Sequence, residues 1–273
     1  MRHDSIDRLL QENRASLFGR FFRVTRPIDE DDISHAKRLN DPADIIALNA
    51  MLEEHAERKN LLPGTERLDL LLARPFRYPS LNHASRFGTM LQPGILYGSR
   101  APATCLSEKA YYQLRFLHDQ TIRPPKPIRK SYILFQADYA GEGVQLDHAV
   151  WDTHQEQLTS PEDYRFCQMV GDGMRKREMD VAEFRSARMR PFHERYPHLA
   201  QTAGQDRGEC NVAILTPHAV RPDQPDASYS VMSRETPDGV EFNVTGLEGE
   251  RLITHYRFDV EPLIVRGELP KPA

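Results

Sequence analysis

RPFRYPSLNHASRFGTMLQPGILYGS, residues 74–99, followed by ATCLSEKAYYQLRFL, residues 103–117, decides how the chain is read. The first stretch holds three arginines, four aromatics and three prolines beside an apolar run, LDLLLA, that must be buried. A surface loop does not carry so many aromatics, and a core strand does not carry so many arginines. The composition fits neither default, and the segments that follow decide what the stretch does. GILYGS, at its end, reads as a strand. The second stretch reads as a helix: Leu106, Ala110, Leu114 and Leu117 recur three and four residues apart and form one apolar stripe, with Thr104 as the expected N-cap. Glu108 falls about 200° around the helix from Leu106, off that stripe. It lies near the N-terminal turn, where the helix dipole favours an ionised carboxylate.

Upstream, residues 1–65 have a different character. DDISHAKRLNDPADIIALNAMLEEHAERKN sets Ile45, Leu48 and Leu52 at helical spacing and is followed by Pro63-Gly64, so the expectation is a charged helical N-terminal extension, a lid or partner surface, ahead of a domain over 66–273. Downstream, RPPKPIRK reads as a solvated connector into a strand, SYILFQADY. SPEDYRFCQMVGDGMRKR reads as an N-capped helix over 162–170 that ends in a turn at Gly171-Asp172-Gly173. NVAIL is a further strand, and Pro237-Asp238-Gly239 marks a hairpin in a β-rich tail. Strands outnumber helices after residue 90 and do not alternate with them. The expected fold is therefore α+β, a mixed or antiparallel sheet flanked by helices, rather than a doubly wound one.

Composition removes several function classes. A net charge of −4 and a pI near 6.3 argue against a general nucleic-acid binder, while a local group of arginines suits a phosphate-bearing small molecule. The longest apolar runs fall far short of the roughly 20 residues a membrane helix needs, and MRHDSIDRLLQENR has no signal-peptide core, so a cytoplasmic location without membrane attachment is expected. Cys105, Cys167 and Cys210 lack CxxC spacing and read as small buried residues. No P-loop, GxGxxG, HExxH or GxSxG motif occurs. Asp147, His148, Asp152 and His154 around Trp151 match no zinc spacing and read as surface or core-edge groups, with no metal expected. His193 and His198, either side of a proline, read as caps.

What remains suits a dinucleotide and its glycosidic bond. Arg77 and Arg86 offer planar forks for pyrophosphate oxygens. Tyr78 and Tyr97 offer faces on which a base or pyridinium ring stacks. Glu108 offers a fixed negative charge beside a sugar that turns cationic. The same residues also fit two solvated arginines, two half-buried strand tyrosines and an exposed helix glutamate, and composition alone leaves both readings open.

In their order, these residues resemble the RES-domain family, the toxin halves of RES/Xre toxin–antitoxin pairs, in its longer form. The family pattern has an Arg-Tyr, here Arg77-Tyr78, then an Arg with an aromatic and a glycine, here Arg86-Phe87-Gly88. A tyrosine on the next strand follows, Tyr97, and a glutamate on the following helix, Glu108. Last comes a serine-containing turn before a strand, here Ser186 ahead of Asn211–Pro217. The likeness covers roughly residues 66–220. It implies a fold similar to ADP-ribosyltransferases and a reaction that consumes NAD at its nicotinamide–ribose bond. On this resemblance Glu108, Arg86 and Tyr97 are the catalytic residues, and Arg77, Tyr78, Arg86 and Ser186 hold NAD. NAD is substrate, so no cofactor is implied; phosphate or water is the acceptor, with phosphate the potential co-substrate. An Xre-like antitoxin is the implied partner, in a toxin–antitoxin hetero-oligomer or beside a homo-oligomer. The alternatives are transfer of ADP-ribose to a protein and a non-catalytic binding module.

Overall fold

The computed structural model describes residues 3–26, 60–79, 84–121, 124–192, 208–248 and 251–272. Among the described residues the longest element is strand β3 (Ile128–Gln145), and the rest of the sheet is organised along its two edges. One edge pairs antiparallel with β1 (Arg14–Thr25), from Arg14 opposite Val144 to Thr25 opposite Ile133. The other edge carries in succession β7 (Ala227–Thr236), β6 (Val220–Arg221) and β4 (Val181–Arg185), and only β4 runs parallel to it. Beyond β4 lie β5 (Cys210–Ile214) and β2 (Leu96–Ser99), and β2 meets β1 again at Phe22 and Ser99. The pairings β1–β2–β5–β4–β3 thus close into a ring, while β7, β8 (Gly239–Glu248) and β9 (Arg251–Asp259) extend from β3 as a meander.

Strand alternation separates the two faces of this ring. Leu17 and Phe21 of β1, Leu96 of β2, Phe135 and Ala137 of β3, Val181 of β4, and Val212 and Ile214 of β5 form one shared core. Tyr97, Ser99 and Asn211 belong to the opposite parity and leave the interior. Closure is tight at Gly98, where an added Cβ would lie 2.5 Å from the Phe21 ring and 3.0 Å from the Phe22 carbonyl. The three longest helices among the described residues cover the sheet: α1 (His3–Glu12), α2 (Pro102–His118) and α3 (Arg165–Lys176). The expected stripe Leu106, Ala110, Leu114 and Leu117 is the buried face of α2, which packs on a core that includes Val231, Phe242 and Phe258. Helices α1 and α3 close a second core through Ile6, Leu10, Val170 and Met174.

The fold is α+β, with the sheet almost wholly antiparallel. The hairpin at Pro237-Asp238 joins β7 to β8 as expected. Three local expectations differ from the structure. Within the segment read as a helical extension, residues 3–12 are helical but 14–25 form β1, a full member of the central sheet. Leu17 and Phe21 are four residues apart, a spacing that fits a helix turn and also one face of a strand; the long pairing with β3 decides for the strand. The helical reading of residues 31–60 falls almost entirely outside the described residues. Gly171-Asp172-Gly173 does not end a helix but lies inside α3, which runs to Lys176. A Cβ at Gly171 would stand 2.1 Å from the Phe87 carbonyl oxygen, so this glycine lets the helix approach the 85–88 loop. Thr104 is not the N-cap of α2: Ala101 precedes the helix, Pro102 occupies its first turn, and the Thr104 hydroxyl donates to the Gly208 carbonyl at 2.6 Å.

Candidate active site

Glu108 lies one and a half turns into α2, beyond the end of the ring where β2, β4 and β5 present polar residues. Its Oε1 accepts from Ser186 Oγ at 2.6 Å and from Asn211 Nδ2 at 2.7 Å. Each donor is oriented by a further contact. Asn211 Oδ1 accepts from the Ser99 hydroxyl at 2.7 Å, directly across the β2–β5 pairing, which turns the amide NH2 towards Glu108. Ser186 follows β4 and is 2% exposed; its oxygen accepts from the backbone N–H of Arg188 (3.2 Å) and Met189 (3.0 Å). The hydroxyl proton is thereby directed to the carboxylate. Among the described residues Oε2 takes no hydrogen bond. One carboxylate oxygen is pinned by two neutral donors, and the group as a whole lines a cleft of about 920 Å³.

Arg77, Arg86 and Tyr97 line the same cleft. Arg86 Nη1 donates to the carbonyls of Leu158 (2.8 Å) and Ser160 (3.1 Å), and its guanidinium lies 4.3 Å from the centre of the Tyr164 ring. Such stacking leaves a guanidinium rigid and charged. Arg77 Nε donates to the Arg74 carbonyl at 2.7 Å. Tyr97 places its ring in the wall, but its hydroxyl is already engaged: it donates to Ser85 Oγ and accepts from Phe87 N–H, both at 3.0 Å. Burial pushes its pKa up to about 12, so it stays protonated and ties the Ser85–Gly88 turn to β2. The sequence-expected residues therefore divide. Glu108, Arg77, Arg86 and Tyr97 come together around the cleft, and Ser186 stands behind Glu108 as its positioning residue. Tyr78 is 52% exposed and is not among the cleft-lining residues.

Several lining residues escaped sequence reasoning. Asn211 is the second residue of β5, and nothing in NVAIL indicates which way it faces. Arg23 comes from β1; its Nη1 donates to the Tyr97 carbonyl at 2.5 Å, and burial holds its pKa below the usual arginine value. Lys109 lies 4.7 Å from the Tyr132 ring centre, and burial, helped by the charge of Arg26, lowers its pKa to about 8. Arg74, Arg115 and Lys271 add further positive charge, set against Glu108 and Asp119. Cys105 also reaches the cleft, but burial pushes its thiol up to about 12, which makes it a poor nucleophile. Elsewhere His154 is a core-edge aromatic, with its ring 5.2 Å from that of Phe166, and Asp147 accepts from the Cys210 thiol at 3.1 Å. Among the described residues no cluster of His, Cys, Asp or Glu has metal-binding geometry, and no helix is long and apolar enough to cross a membrane. His193 and His198 lie outside the described residues.

A ring-closed α+β sheet that presents one doubly anchored carboxylate to a cationic cleft defines the class of this domain. Residues 63–232 match the model of the RES domain, and the chain belongs to that family. The match contains Glu108, Ser186 and Asn211 together with every expected site residue, and leaves β1, β8 and β9 outside it. No curated protein matches the chain. A solved structure, described as the crystal structure of the M. tuberculosis MbcT–MbcA toxin–antitoxin complex, is 12% identical with a TM-score of 0.44, over 86% of this chain and 92% of that one.

Proposed function

We propose that the chain is an NAD-degrading toxin that breaks the nicotinamide–ribose bond and is held in check in the cytoplasm by a cognate, Xre-like antitoxin. The observation that carries this reading is the Glu108 carboxylate, fixed by Ser186 and Asn211 inside a cleft otherwise rich in arginine. Breaking the bond between the ribose C1 and the nicotinamide nitrogen sends the bonding electron pair to nicotinamide, which leaves neutral and needs no acid. The ribosyl fragment becomes oxocarbenium-like, and a preorganised anion beside it lowers that barrier. Water as acceptor gives ADP-ribose and a released proton; phosphate gives the 1-phosphate of ADP-ribose. Arg86 and Arg77 neutralise the pyrophosphate, and the Tyr97 ring bounds the pocket of the leaving base. Neutral donors on Glu108 matter here, because a lysine or arginine in their place would cancel the charge that the transition state uses.

Incubation of the purified chain with NAD, with and without phosphate, tests the reading through free nicotinamide and the identity of the second product. Release of nicotinamide with a phosphorylated or hydrolysed ADP-ribose is the expected result. Intact NAD in the presence of folded protein refutes it.

A further inference from the structure

The segment after β9 crosses α2 on the face that carries Glu108. Tyr111, Tyr112 and Arg115 lie three, four and seven residues beyond Glu108, so they continue its side of the helix for about 10 Å. The Tyr111 hydroxyl donates to the Pro270 carbonyl, and Arg115 Nη1 donates to the Leu269 carbonyl at 2.8 Å. Arg115 is itself oriented by Asp119, 2.6 Å from its Nη2. Leu269 and Pro270 are buried, Leu269 in the core beneath α2, and the next two residues, Lys271 and Pro272, line the cleft. Two helix side chains thus anchor consecutive carbonyls immediately before a lysine, and much of the entropy of ordering that backbone is met by the fold.

The state of that lysine separates it from the other cations. Arg23, Arg77, Arg86 and Arg115 each donate to a backbone carbonyl, and Lys109 sits on an aromatic face. Lys271 has no hydrogen bond, ion pair or aromatic contact among the described residues, although it faces a cleft with few anions of its own. A charge presented on an anchored backbone and left unneutralised is what a phosphate-bearing ligand would complete.

We propose that the Leu269–Pro272 segment is a substrate-binding wall of the cleft, and that Lys271 binds a phosphate of the nucleoside-diphosphate half of the ligand, at the end remote from Glu108. The proposal rests on the NAD-cleaving reading for its substrate, but its test does not need turnover. ADP, which lacks the nicotinamide riboside, is titrated calorimetrically into the full chain and into Lys271→Ala and Lys271→Arg, with thermal melts of all three. The expected result is a Kd for ADP raised about 10-fold in Lys271→Ala, largely restored in Lys271→Arg, with unchanged melting temperatures. Where NAD is cleaved, the loss should fall on KM. ADP binding to Lys271→Ala within twofold of the parent, or no ADP binding to the parent, overturns the proposal. Normal ADP binding with no NAD cleavage leaves the wall intact and refutes the catalytic reading instead.

Discussion

Replacing Glu108 by glutamine removes one charge and almost no volume, and the two anchoring donors dictate how the amide must sit. Ser186 and Asn211 both donate to Oε1, so the amide oxygen takes that place and its NH2 group takes the place of Oε2. On the proposed reaction, the variant would therefore present a donor to the forming ribosyl cation in place of the carboxylate. Loss of one preorganised electrostatic group costs on the order of 100-fold or more in turnover, about 2.7 kcal/mol. Stability should respond far less. The two hydrogen bonds persist in neutral form, and the change from charge-assisted to neutral bonds, on the order of 1 kcal/mol, is offset by easier burial of an uncharged group. The assay is a pair of measurements on Glu108→Gln: nicotinamide release at saturating NAD and the thermal melt. A normal melt with a roughly 100-fold slower release is expected; near-normal release would remove Glu108 from the chemistry.

Three further outcomes follow from the same geometry. Ser186→Ala takes away one donor to Glu108 and the acceptor for two backbone N–H groups, so turnover should fall about 10-fold and stability by about 1 kcal/mol; unchanged kinetics would show that Asn211 alone suffices. Arg86→Lys keeps the charge but cannot hold the Leu158 and Ser160 carbonyls while lying over Tyr164, and kcat/KM for NAD should drop by about 10-fold or more, on the order of 1.4 kcal/mol. Lys109, with its pKa lowered to about 8 by burial, loses its charge as pH rises from 7 to 9. KM for NAD should rise across that interval in the parent and stay flat in Lys109→Arg. Folding stability should rise over the same interval, because above pH 8 the unfolded chain still binds the proton that the folded one has released; a KM that does not change with pH would show that the Lys109 charge does not act on NAD.

Local periodicity made α2, β5 and the β7–β8 hairpin legible, because each is decided by residues within one element. Glu108 was legible for a related reason: its position off the apolar stripe is a property of the helix alone. The remainder of the site depends on distant pairings. Arg23 enters the cleft only because β1 lies along β3, more than a hundred residues later in the chain, and a strand whose apolar residues are four apart gives no sign of that partner. Gly171 resembles a helix stop until Phe87 is found packed against it. Asn211 is the sharpest case. Its side chain reaches Glu108 because Ser99 stands opposite it across β2 and β5. A slip of one residue in that register would turn the asparagine into the ring interior and bring Val212 out towards the carboxylate. The Glu108 carboxylate is written on one helix, but its anchoring is set by the closure of the sheet, which no short stretch of sequence contains.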